Sequence, residues 1–182
     1  MPDSMVKKPK KAFMHIDKSK LQIKLAQAVD VPAITEIYNE AIINGTATFD
    51  TELKTIANRH IWLNQHQGKY PVWVAYLDEK MLAWASLTQY SDRAAYEGTA
   101  EVSVYVHHQH RGTGVGTIIF EHLVQQAKIL ELHCLLARIT EGNDTSIRLH
   151  QKYGFTTVGV MRQVGSKFGR YLDVTLMQKV FE

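Results

Sequence analysis

One stretch limits what this chain can become, the run from Glu101 to Ala127. Its first part, Glu101-Val102-Ser103-Val104-Tyr105-Val106, has the β-branched and aromatic composition of a strand. Its last part sets Ile118, Ile119, Leu123 and Ala127 at helical spacing. Between them lies Arg111-Gly112-Thr113-Gly114-Val115-Gly116. Glycine at alternate positions lets the backbone approach a ligand with no Cβ in the way. The first N–H groups of the following helix lack intrahelical partners, and its dipole favours an anion there. A strand that runs into a glycine-rich helix start is therefore a candidate phosphate cradle.

Two common phosphate loops do not fit. A P-loop closes on Gly-Lys-Ser/Thr, whereas this run closes on Gly116-Thr117-Ile118. The dinucleotide fingerprint Gly-x-Gly-x-x-Gly needs a third glycine where Thr117 stands. A third pattern, Gln/Arg-x-x-Gly-x-Gly/Ala, is met by Arg111, Gly114 and Gly116. A plain glycine-rich turn before an ordinary helix would look the same, so the rest of the chain has to decide.

The length of 182 residues suits one domain with a substantial core. Hydrophobic residues at 45% and charged ones at 21% are ordinary for a globular protein, and no apolar run approaches the ~18 residues of a membrane span. The start carries lysines at 7, 8, 10, 11, 18 and 20 and no apolar leader segment, so residues 1–19 are expected to be a flexible basic arm. Much of the formal charge of +3 resides there, and neither a nucleic-acid nor a membrane partner is expected. Cys134 is the single cysteine, so no intrachain disulfide exists and a reducing cytoplasm fits. It lies in the apolar run Leu132 to Ala137, as a buried thiol does. His107, His108 and His110 have no nearby cysteine or paired carboxylate, and no metal is expected.

In chain order, Leu21 to Ala28 reads as a strand, and Asp30-Val31-Pro32 as an N-cap with proline in the first helical turn. That helix carries Ile34, Ile37, Tyr38 and Ala41 and stops near Asn44-Gly45. A second helix spans Ala57 to His66, and Pro71 to Tyr76 with Met81 to Leu87 form a hairpin. Gln89 to Gly98 is loop-like. After the central strand and helix come a buried strand, Leu132 to Ile139, and a short helix from Asn143 to Tyr153 closed by Gly154. Phe155 to Met161 and Tyr171 to Val180 make a closing antiparallel pair. The order β-α-α-β-β-β-α-β-α-β-β predicts an α/β (α+β) fold, a mixed and mostly antiparallel sheet with helices on its faces.

That order, with the loop at Arg111 to Gly116, resembles the GNAT acetyltransferase fold over residues 20–182. Three further stretches resemble the branch that acetylates phosphinothricin, methionine sulfone and methionine sulfoximine. They are Ile37-Tyr38-Asn39-Glu40-Ala41 with Thr46-Ala47-Thr48-Phe49, then Glu101 to Val106, then Gly165-Ser166-Lys167-Phe168-Gly169-Arg170-Tyr171-Leu172-Asp173-Val174. The resemblance implies splayed central strands that hold acetyl-CoA. Gly112, Thr113, Gly114, Val115, Gly116 and Thr117 would cradle the pyrophosphate by their backbone, with added charge from Arg111. Val104, Tyr105 and Val106 would pair with the pantetheine arm, which Asn143 would help to fix, although Asn143 also suits a plain helix N-cap.

The resemblance further implies Glu101 as general base and His150 as the group near the sulfur. N–H groups around Ser103 to Tyr105 would polarise the thioester. Arg93 would meet the acceptor's carboxylate, with Phe49, Tyr96 and Ser103 also lining its site. No covalent nucleophile stands out, which favours direct transfer in a ternary complex. Family members bring the region of Lys167 and Arg170 close to a partner subunit, so a homodimer is implied. Two departures are the long N-terminal arm and Phe120, where some relatives have tyrosine. Other amine acceptors (a polyamine, an aminoglycoside, a peptide N-terminus) and a non-catalytic acetyl-CoA sensor remain open. A sensor needs neither Glu101 nor His150.

Overall fold

A computed structural model describes residues 16–182. Seven strands form one sheet: β1 (Leu21–Leu25), β2 (Val72–Leu77), β3 (Lys80–Gln89), β4 (Thr99–Val106), β5 (Cys134–Thr140), β6 (Thr156–Lys167) and β7 (Arg170–Val180). Their order is β1-β2-β3-β4-β5-β7-β6. Neighbours are antiparallel except β4 and β5, which run parallel. A parallel pair needs a crossover, and α3 (Val115–Ile129) supplies it. The glycine loop therefore sits at the carboxyl end of β4, where open sheets present ligands to a helix start.

Helices α1 (Val31–Asn44) and α2 (Ile56–Gln65) cover one face, and α3 with α4 (Asp144–Lys152) the other. Strand alternation sorts the side chains between them. Ala83, Ala85 and Leu87 of β3 join Ala100 and Val102 of β4 in the core beneath α3, whereas Trp84 turns to Ile34 and Ile37 of α1. Val115, Ile119, Phe120, Leu123 and Ala127 make the buried stripe of α3. Each fully buried Ile, Leu or Phe there is worth roughly 1.5–3 kcal/mol. Among the described residues no helix is long and apolar enough to cross a membrane.

The feature that matters for function is a short ladder. β4 pairs with β5 only at Thr99–Glu101 against Cys134–Leu136. Beyond that point β4 stays on β3 as far as Val106 opposite Ala83, and β5 stays on β7 as far as Thr140 opposite Val174. The two strands part, and beyond Val102 β4 has an open edge. His107 N–H donates to the Leu82 carbonyl at 2.8 Å and the Thr99 carbonyl accepts from Tyr90 N–H at 3.3 Å. Odd-numbered residues of β4 thus bond toward β3, so beyond the ladder Val104 and Val106 turn backbone groups to the gap.

Several expectations shift in detail. Asp30 stands at the N-cap of α1 with proline in the first turn, as expected, but its side chain makes no capping bond. Its buried carboxylate accepts from Gln27 N–H at 2.8 Å and Tyr76 Oη at 2.8 Å, and pairs with Lys24 at 3.3 Å. The boundary expected after residue 19 falls inside the folded body, because Ile16 is buried in the core and Lys18 to Lys20 form a 3-10 turn. Residues 1–15 of the expected arm lie outside the described residues. The stretch from Gly165 to Arg170 is the end of a long hairpin, closed by a two-residue turn at Phe168 (φ +52°) and Gly169 (φ +74°). Positive φ at both positions suits the twist of the strands.

Residues 45–50 cross the parted strands on the α1/α2 side. Tyr38 Oη is 2.9 Å from Thr48 Oγ1 and donates to Asp50 at 2.7 Å. Tyr105 Oη donates to the Ala47 carbonyl at 3.3 Å, and Lys167 Nζ of β6 to the Thr48 carbonyl at 2.8 Å. A Cβ on Gly165 would lie 2.2 Å from the Phe49 ring, so only glycine lets Phe49 rest on β6. Gly165→Ala should therefore destabilise the protein by about 1–3 kcal/mol in urea unfolding. In a Phe49→Ala background the same change should cost less than about 0.5 kcal/mol, because the clashing ring is gone. Equal costs in both backgrounds would remove Phe49 as the reason for the glycine.

Candidate active site

The glycine loop has the shape its composition predicts. Gly112 (φ +82°) and Gly114 (φ +91°) adopt left-handed backbone that other residues resist. Thr113 Oγ1 donates to the His110 carbonyl at 2.7 Å and pins the turn. Gly116 packs the helix onto β4, where a Cβ would come within 3.1 Å of Val106 Cγ2. Thr117 and Ile118 N–H both donate to the Gly114 carbonyl. The N–H groups of Gly112, Val115 and Gly116 have no acceptor among the described residues, and no acidic residue stands in the first turn of α3. A diphosphate fits such a cradle by its charge and by its need for convergent donors.

Arg111 is placed differently from a free phosphate ligand. Its guanidinium forms an ion pair with Glu40 of α1, and its Nε donates to the Val106 carbonyl at 3.2 Å. Val104 and Val106 offer backbone groups to the gap beside β4. Tyr105 does not, since its backbone bonds toward β3 and its ring stacks on Trp84 at 4.6 Å. Burial pushes the Tyr105 phenol well above its ordinary range, and holds that of Tyr38 at about 12. Asn143 caps α4, its side chain accepting from Ser146 N–H at 3.3 Å.

Glu101 stands where the ladder ends. It shares the α1/α2 face of β4 with Ser103 and Tyr105, opposite Thr88, Ser86 and Trp84 of β3. Its carboxylate is gripped by Arg138 of β5, which donates through Nε at 2.8 Å and through Nη2 to the second oxygen. This pair bridges the two strands at the point where they separate. The guanidinium is held above its ordinary value, first by the hydrogen bond to Glu101 and further by its charge. Tyr90 lies near enough to Arg138 to add to that effect, and its ring meets Tyr96 edge to face at 5.2 Å. Arg93 begins the 3-10 turn Ala94–Tyr96, its N–H bonded to Ser91 Oγ at 3.2 Å. Tyr96 is thus linked to the Glu101–Arg138 pair only through Tyr90. Arg93 is exposed and makes no contact with the pair, and Phe49 approaches β6 from the segment at 45–50.

His150 belongs to the other face. It is 6% exposed and packed between Phe120 at 4.5 Å and Phe155 at 5.0 Å. Nδ1 lies 2.7 Å from the Ser146 carbonyl, which only accepts, so Nδ1 carries the proton. Burial lowers the pKa, and the ring is neutral at pH 7 with Nε2 as an acceptor. Glu101 and His150 are thus not brought together. Phe120 is fully buried in the core. No group of three His, Cys, Asp or Glu side chains among the described residues could hold a metal ion.

Two residues of this site escape pattern reading. Arg138 is the lone charge inside the buried strand Cys134–Thr140, and that isolation is the signal for it. Arg59 of α2 is buried over the rings of Trp62 at 3.5 Å and Tyr38 at 4.6 Å, and its loss of hydration lowers its pKa to about 10. It holds α2 against the aromatic cluster that supports Tyr105.

Residues 23–176 match the model of the acetyltransferase (GNAT) domain. The methionine sulfoximine/methionine sulfone acetyltransferase of Pseudomonas aeruginosa is 40% identical over 159 residues, 86% of this chain and 92% of that protein. The phosphinothricin N-acetyltransferase of Streptomyces coelicolor is 34% identical over 165 residues, 88% of this chain and 96% of that protein. In three dimensions the chain is similar to the GNAT superfamily phosphinothricin acetyltransferase of Sinorhizobium meliloti crystallised with acetyl-CoA. That likeness has a TM-score of 0.85 and 31% identity over 88% of each chain. With the parted central strands and the glycine loop between β4 and α3, these likenesses establish that the chain belongs to the GNAT acetyltransferase family.

Proposed function

We propose that the protein transfers acetyl from acetyl-CoA to the α-amine of a small amino-acid-like acceptor, of the class of methionine sulfoximine, methionine sulfone and phosphinothricin. One observation carries the reading: the Glu101–Arg138 pair stands where β4 and β5 part, and the same strand β4 runs on from there into the glycine loop. Acetyl-CoA brings the activated thioester. Gly112 to Thr117 bind the pyrophosphate by their backbone, and Val104 and Val106 present an open strand edge to the pantetheine. The Val104 N–H, which faces the gap, is the donor best set to polarise the thioester carbonyl.

On the α1/α2 side, Glu101 takes the proton of the acceptor's ammonium, directly or through water. Each of its oxygens keeps a lone pair beyond the one that Arg138 uses. Arg138 orients this carboxylate, as a bidentate guanidinium does. Arg93 meets the acceptor's carboxylate, with Phe49, Tyr96 and Ser103 around it. The neutral tautomer of His150 favours water as the proton source for the leaving thiolate. Transfer is direct, within a ternary complex. An acceptor of this kind would lose its free amine, which is a detoxifying step, and the lone reduced Cys134 suits a cytoplasmic setting.

A homodimer fits the outer hairpin. Val160, Val164, Phe168 and Tyr171 are exposed on β6 and β7 at the edge of the sheet, and Ile42, Leu53 and Phe168 line an apolar recess beside them. Apolar surface on an edge strand calls for cover. Sedimentation should give a dimer, converted to monomer by Val164→Glu, whereas a wild-type monomer would refute it.

Purified protein should release thiol from acetyl-CoA with methionine sulfone, methionine sulfoximine or phosphinothricin, and little with methionine, spermidine or a short peptide. Glu101→Gln should lower kcat by about 10²- to 10⁴-fold and keep acetyl-CoA affinity within about twofold. Unchanged turnover would dismiss Glu101 as base, and silence on every acceptor with acetyl-CoA still bound would favour a sensor. Arg93→Ala should raise KM for methionine sulfone by about tenfold or more, the worth of a charge-assisted bond, with a smaller change in kcat. An unmoved KM would release Arg93 from the acceptor site.

A further inference from the structure

Lys18 lies outside the family match at residues 23–176, yet it sits on the glycine loop. Ile16, 5% exposed, is buried in the same core cluster as Val115 and Ile119 at the start of α3. Asp17 caps the 3-10 turn that follows, its carboxylate accepting from Ser19 N–H at 3.1 Å and Ser19 Oγ at 2.6 Å. These two anchors deliver the Lys18 side chain to Gly114. A Cβ built on Gly114 would lie 3.1 Å from Lys18 Nζ and 3.3 Å from its Cε.

The charge placement is incomplete as it stands. No carboxylate pairs with Lys18 among the described residues, and none stands in the first turn of α3. An ammonium beside the positive end of a helix is unfavourable alone and becomes favourable once an anion occupies the free N–H groups between them. The loop's own arginine does not supply this charge, because Arg111 is paired with Glu40. We infer that Lys18 is a cofactor-binding residue whose ammonium closes the glycine loop over the pyrophosphate of acetyl-CoA. This rests on the reading of Gly112 to Thr117 as the pyrophosphate cradle.

Calorimetric titration of the full chain with acetyl-CoA, 3′-dephospho-acetyl-CoA and acetyl-pantetheine tests it, with Lys18→Ala, Lys18→Arg and Lys20→Ala beside the wild type. Lys18→Ala should weaken both nucleotide-bearing ligands by about three- to tenfold, with a shallower salt dependence, and leave acetyl-pantetheine unchanged. Lys18→Arg should restore most of the loss, and Lys20→Ala should bind as the wild type does. Unchanged affinity in Lys18→Ala would overturn the assignment. So would a loss confined to the ligand with the 3′-phosphate, an equal loss with acetyl-pantetheine, or an equal loss in Lys20→Ala. If the wild type itself bound acetyl-pantetheine as tightly as acetyl-CoA, the cradle reading would fall and Lys18 with it. A wild type that discriminates beside a Lys18→Ala that matches it would remove Lys18 alone.

Discussion

Everything in the site depends on where the β4–β5 ladder stops. Three residues of β4 pair with β5, and then each strand follows its other neighbour. Unpaired backbone inside a protein is costly, so a gap of this kind persists only if something else satisfies it. On one side lies a strand edge where Val104 and Val106 turn backbone groups to the gap. On the other, the segment 45–50 reaches across and is tied to both halves, to Tyr105 on β4 and to Lys167 on β6. Lys167 is 4% exposed, and its lost hydration lowers its pKa, so its bond to the Thr48 carbonyl does structural duty. The segment that spans the parted strands is thus fixed by side chains of β4 and β6.

The same parting separates the two chemical tasks. Strand alternation sends Glu101 and Ser103 to the α1/α2 face and Val102 and Val104 to the α3 face. On the proposed reading, a base at Glu101 would meet the amine from one side while the thioester would arrive along the edge. Arg138 makes this arrangement rigid. Its bidentate grip crosses from β5 to β4 just where backbone bonding ends, so a side-chain pair takes over from the ladder.

Much of this was legible in the order of residues. The strand, glycine loop and helix at 101–127 were readable because periodicity changes from two to about 3.6 across a run of glycines, and each local signal agrees with the next. Asn143 and Gly154 were readable as helix ends for the same reason. What escaped was long-range. Asp30 stands at the cap position, yet Tyr76, 46 residues along the chain, draws its carboxylate away from the helix. The Gly165 requirement comes from Phe49, more than a hundred residues away. The 168–169 turn was concealed because Phe at a left-handed position is unusual outside so tight a hairpin.

Charge shows the difference most clearly, because a sequence counts charges but does not show which are cancelled. Arg111, Arg138, Arg162 and Arg170 are each paired with a carboxylate, so guanidinium groups beside the site mostly orient protein rather than await ligand. His107 and His110, next to the loop, add no charge either. Burial lowers the pKa of His107 and His110, and Lys80 and the neighbouring imidazoles lower them further. Those two rings are therefore neutral at pH 7. The cation left facing the cradle comes from a turn that composition alone assigns to a solvated arm. It is brought there by one buried isoleucine and one capping aspartate. That turn lies outside the stretch matched by the family, residues 23–176, so a motif centred on the loop could not include it.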